Sequence, residues 1–223
     1  MNAKYVLLLA LGMGAMLSQA HETPATPKAL AARYTLNSHK LKTDWYLWRD
    51  TDRIETATLA SGQNVIWERQ GPHSFRQRVV FADEGRIVDY SPGEIRTRHA
   101  EPDWSQLGSV ISPKLLGALR RGASRLQFGQ QSTHYSGHVQ GQEIALWWLN
   151  DSQLPAQLAI RGRGRAFTLR LREIHAVSPV AWPRTSEEKL ADYTLIDAAD
   201  FGDMESDPFV ARLLAREGHP HAH

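Results

Sequence analysis

From Asp44 to Ile174 apolar and polar residues alternate in short runs separated by turn residues, and a period of two predicts antiparallel β-structure. Eleven segments carry the pattern: 44–50 (DWYLWRD), 53–60, 64–70, 74–81, 86–91, 94–99 (EIRTRH), 124–130, 133–140, 143–150, 156–162 and 166–174. The links ASGQ, QGPH, DEGR, QGQ and GRGR have the composition of hairpin turns. Alternation also assigns faces. In 166–174 Phe167, Leu169 and Leu171 oppose Thr168, Arg170 and Arg172, and in 74–81 Phe75, Val79 and Phe81 oppose Arg76 and Arg78. One face of the sheet is therefore apolar and aromatic, and the other carries arginine. Trp147 and Trp148 place one indole on each.

Two helical stretches interrupt the strands. Lys28–Tyr34 (KALAARY) reads as a short helix, and SPKLLGALRRG (112–122) as a second, with Ser112 as its N-cap and Pro113 in the first turn. Arg120 and Arg121 suit its C-terminal end, and Gly122 follows. After Val177 the alternation stops, and residues 186–217 combine acidic loop with one helix from Ser206 or Asp207 through Arg216. The chain thus divides into a signal peptide at 1–20, a flexible arm at 21–27, a β domain at 28–177 and a C-terminal extension at 178–223 with a histidine-rich end. The signal is read from Lys4, the apolar run Val6–Leu17 and Ser18-Gln19-Ala20, with cleavage after Ala20 and a periplasmic destination. No run in the mature chain reaches the roughly 20 apolar residues a membrane-spanning helix needs.

Composition removes several classes of function. With no cysteine the chain is no lipobox lipoprotein, disulfide scaffold or thiol enzyme. Its 26 Lys+Arg against 24 Asp+Glu leave no basic excess for nucleic acid. Neither G-x-S-x-G, H-E-x-x-H nor a phosphate-cradling loop occurs, so no enzymatic activity is expected.

The signal peptide, the hairpins from Trp45 to Tyr90, the break at SPKLLGALRRG and the second run of hairpins from Arg125 to Ile174 together resemble the periplasmic lipoprotein-carrier superfamily. The resemblance covers about residues 28–177 and is one of pattern. It implies a mainly β (α+β) fold, a single curved antiparallel sheet of about eleven strands forming a half barrel, with a few short helices and a C-terminal tail. In that superfamily the concave side, partly lidded by helices, accommodates acyl chains. Carried over, the lining would be Trp45, Leu47, Trp67, Phe75, Val79, Phe81, Leu146, Trp148, Phe167 and Leu169, and the partner a hydrophobic ligand or a lipoprotein. The extension after Val177 exceeds the simple carrier plan. It would cover the mouth of the half barrel, close a sheet edge, or dock a periplasmic partner protein through 200–216, the accessory-subunit reading.

Copper binding is the other alternative; otherwise no cofactor is expected. An N-terminal His21 chelates copper through its amine and ring once the signal is cleaved, with His39, His73 or His99 available as second ligand. His219, His221 and His223 form a further metal-binding tract. His134 and His138 lie four apart on a strand, about 13 Å at 3.3 Å per residue, and cannot share an ion. The acids Asp200, Asp203, Glu205 and Asp207 fail the EF-hand spacing, because Pro208 occupies the sixth position from Asp203. Capping by Ser206 or Asp207 with Pro208 in the first turn accounts for part of them.

Overall fold

The computed structural model describes residues 28–38, 41–98, 103–162 and 164–217. Twelve strands form one sheet: β1 (Leu30–Ser38), β2 (Leu41–Arg49), β3 (Arg53–Thr58), β4 (Gln63–Gly71), β5 (Ser74–Phe81), β6 (Arg86–Tyr90), β7 (Arg120–Gln127), β8 (Gln130–Val139), β9 (Gln142–Leu149), β10 (Leu154–Gly162), β11 (Arg165–His175) and β12 (Thr194–Asp197). Their order is β12-β6-β5-β4-β3-β2-β1-β11-β10-β9-β8-β7, antiparallel throughout except for the parallel pair β12·β6. Two meanders, β1–β6 and β7–β11, join where β1 pairs with β11.

Ten of the eleven expected segments are strands. The exception, 94–99, belongs to helix α1 (Pro92–Arg98). Its apolar alternation is misleading because Ser91-Pro92-Gly93-Glu94 is a capping box. The Ser91 N–H donates to Glu94 Oε2 at 2.7 Å, the Glu94 N–H reaches Ser91 Oγ at 3.4 Å, and Pro92 opens the helix. The expected helix at Lys28–Tyr34 is instead the start of β1. Leu30, Ala32, Tyr34 and Leu36 all enter one core cluster while Ala31 packs on the opposite face, a period of two that the alanine-rich composition conceals.

The connection between β6 and β7 has to cross almost the whole sheet, ten inter-strand spacings or about 48 Å of arc. It carries α1, α2 (Trp104–Ser109) and α3 (Pro113–Ala118) over the concave face. Asp103 caps α2 and Ser112 caps α3, as read for Ser112 from the sequence. Arg120 and Arg121 begin β7, because α3 ends at Ala118.

The extension wraps one sheet edge. On the convex face Trp182 packs against Ala31, Tyr46, Trp48 and Ala57, and Leu190 of α4 (Glu187–Asp192) joins Ile66, Val80 and Ile87. The chain then adds β12 beside β6 and returns to the concave face, where Phe201, Phe209 and Val210 are buried. Phe209 and Val210 belong to α5 (Pro208–Glu217), capped by Asp207 as the acidic cluster suggested. Glu55 secures this wrap: fully buried, it accepts from the Thr185 N–H at 2.7 Å, Asn64 Nδ2 at 2.9 Å and Arg53 Nη2 at 3.0 Å.

Candidate functional site

The concave face collects the apolar side of nearly every strand. Trp45, Leu47, Leu146, Trp148 and Leu169 lie in one cluster, with Phe167 packed against it. Phe75 and Phe81 lie in a second with Val79 beside them, and Trp67 and Trp104 touch both clusters. All ten side chains of the expected lining thus share one face. That face is packed: Val110, Ile111 and Leu119 from the α2–α3 segment enter the first cluster, and α5 fills the end near β5 and β6. Phe75 stacks on Trp104 at 5.8 Å between centroids, and the Arg69 guanidinium lies 5.1 Å from the Trp104 ring. Clefts of about 180 Å³ and 160 Å³ lie on the convex side, under residues 176–178 and 183–193.

Alternation does not single out the residue that holds the cover in place. Arg49, at the end of β2, is 2% exposed, and its three donor groups all end on backbone carbonyls. Nη1 donates to Gly108 O at 2.7 Å, Nη2 to Ser152 O at 2.8 Å and Nε to Lys28 O at 3.0 Å. The cation thereby ties α2, the β9–β10 turn and the start of β1 together. No carboxylate pairs with it among the described residues, and burial pushes its pKa down to about 10. Gly108 is required at this contact, because a Cβ there would stand 2.9 Å from Arg49 Cδ. The next turn carries strain. Val110, the residue ending α2, has φ +70°, a left-handed conformation that is rare for a β-branched side chain.

Beside Arg49 a polar row crosses the apolar face. Tyr34, Trp45 and Thr58 stand directly opposite one another on β1, β2 and β3. Tyr34 Oη, Trp45 Nε1 and Thr58 Oγ1 are all buried without a hydrogen-bond partner among the described residues. Burial also pushes the Tyr34 hydroxyl pKa up, so it stays protonated. The strand pattern could have revealed Thr58, a hydroxyl at an inward position, but not that its neighbours' polar atoms would also lack partners.

No group of three or more His, Asp or Glu is placed to hold a metal among the described residues. His21, His39, His99, His219, His221 and His223 lie outside those residues, as does the expected signal peptide. No helix among the described residues is long and apolar enough to cross a membrane.

No family model matches the chain, and no curated protein does. Among solved structures it is similar to PNGF-II at 11% identity and TM-score 0.45, covering 81% of this chain and 33% of that one. It is also similar to MucB, solved in complex with MucA(peri), at 9% identity and TM-score 0.39, covering 77% of this chain and 56% of MucB. The Mycobacterium tuberculosis lipoprotein LppX is similar at 11% identity and TM-score 0.35, over 67% of this chain and 88% of LppX. The chain therefore spans a third of PNGF-II and just over half of MucB.

Proposed function

We propose that the protein is a periplasmic, non-enzymatic binder of a lipid-like ligand or lipoprotein acyl group, which enters the concave face when the α2–α3 cover lifts. The observation that carries this reading is Arg49. Replacing a buried charge by apolar side chains is often neutral or stabilising, so a buried cation is better suited to a switch than to added stability. Here it bonds only to backbone carbonyls: those of Lys28 and Ser152 belong to the sheet, and that of Gly108 belongs to the cover, so one charge-assisted bond breaks when the cover moves. Helices α2 and α3 have six residues each, far below the length at which a helix stands alone, so they depend on that tie and on packing. The left-handed Val110 adds strain of order 1–3 kcal/mol at the joint. Once the cover lifts, Trp45, Trp67, Phe75 and Trp148 supply aromatic wall, and the row Tyr34, Trp45, Thr58 supplies polar anchors. Each buried CH₂ of an acyl tail contributes about 0.8 kcal/mol.

The test is titration with a dansyl-labelled fatty acid. The wild-type protein is expected to bind it, and Arg49→Met to bind at least tenfold tighter because the open form is more populated. Absence of binding by both proteins, each with an intact circular-dichroism spectrum, contradicts the reading.

A further inference from the structure

Among the described residues strand β7 forms one end of the sheet with no neighbour on its outer side, and seven of its eight residues are exposed. The opposite end is finished by the four-residue β12, which the extension supplies. An open edge of eight residues offers unpaired backbone N–H and C=O groups to any extended chain.

Charge is distributed unevenly about this edge. Toward the middle and the β12 end most arginines are matched by acids, Arg49 and Arg172 excepted: Arg33 with Asp44 and Glu173, Arg53 with Glu55, Arg76 with Asp89, Arg78 with Glu68, Arg86 with Asp207 and Arg184 with Asp50. At the β7 end the pattern changes. Arg120 and Arg121 have no acid within ion-pair distance among the described residues, and Arg125 sits instead over the Trp147 ring at 3.7 Å. Farther along the convex face Arg161 and Arg170 also lack acids among the described residues.

Arginine and a bulge can serve only to ward off edge pairing, and β7 has both, the bulge between Arg121 and Ser124. A purely guarded edge, however, gains nothing from the two apolar side chains beside it. Leu126 is 70% exposed and Phe128 43% exposed. Phe128 and Gly129 form the two-residue turn to β8, both at positive φ (+51° and +72°). Asn or Gly is the usual first residue of such a turn, and a bulky aromatic there is held against its conformational preference.

We infer that β7 is a docking edge for an extended acidic segment of a partner protein, which adds to the sheet as a thirteenth strand. Its acids would meet Arg120 and Arg125, which share the convex face, and its apolar side chains would meet Leu126 on the concave face and Phe128 at the turn. This site is at the opposite end of the sheet from the extension, whose apolar residues Phe201, Phe209 and Val210 are packed against the chain itself.

A fluorescent octapeptide of alternating Glu and Val is the probe. Binding is expected to the wild-type protein, with at least a tenfold loss in Arg120→Glu/Arg125→Glu. A loss is also expected in Phe128→Asn, whose melting temperature should be unchanged or higher. The same peptide N-methylated on four consecutive central residues keeps its charge but loses the ladder, and is expected not to bind; outer-edge amides of β7 should gain hydrogen-exchange protection only with the unmodified peptide. Equal binding of the N-methylated peptide, no effect of the arginine reversal, or binding to phosphatidylglycerol vesicles without any binding of the peptide overturns the inference.

Discussion

Arg49 and Glu55 are two buried charges on adjacent strands with opposite surroundings. Glu55 is met by cations and donors that come from the extension and its neighbours, so Glu55→Ala leaves Arg53 and Arg184 facing a vacated site. Its expected cost is about 3–5 kcal/mol in urea unfolding, the range for breaking a buried pair, while Glu55→Gln, which keeps one acceptor, should cost less. Arg49 meets only carbonyls, and its removal should loosen the cover more than the sheet. In Arg49→Met, amide exchange is expected to rise in α2 while β1 and β11 stay protected; uniform exchange across all of them would make Arg49 a general stability residue.

The pH dependence belongs to α5. Its cap Asp207 accepts from the Arg86 guanidinium at 2.7 Å and from the Phe209 N–H at 2.7 Å, and those contacts, Arg86 foremost, hold its pKa below the ordinary aspartate value. A lowered folded-state pKa contributes stability that is present above the unfolded value, about 3.9, and is lost as pH falls through the folded value. Below roughly pH 4, the protection factors of the Phe209 and Val210 amides, taken relative to the intrinsic exchange rate at each pH, should therefore fall, and Asp207→Asn should remove that dependence. At this scale the strands were legible because a half-buried sheet writes its period directly into the residues, as in Phe167-Thr168-Leu169-Arg170. Helix α1 was hidden by the same kind of alternation, although its Ser91–Glu94 capping box was present to be read. Strand β12 could not be read: four residues, one of them buried, pair with β6 only because the extension has already crossed the convex face.

For the molecule as a whole, the shared face of the ten apolar residues was legible, and its occupancy was not. A packed core and a covered groove have the same alternation, and what distinguishes them is a cross-sheet cover tied by a long-range contact, Arg49 to Gly108, with no local signature. Whether that cover admits a ligand is the central claim. It is tested most directly by native mass spectrometry of the protein purified from its host without detergent, beside Arg49→Met prepared in the same way. The expected result is an adduct of lipid mass on the wild-type chain, with higher occupancy in the variant. Bare chains in both preparations, under conditions that preserve a known lipid complex, would contradict it.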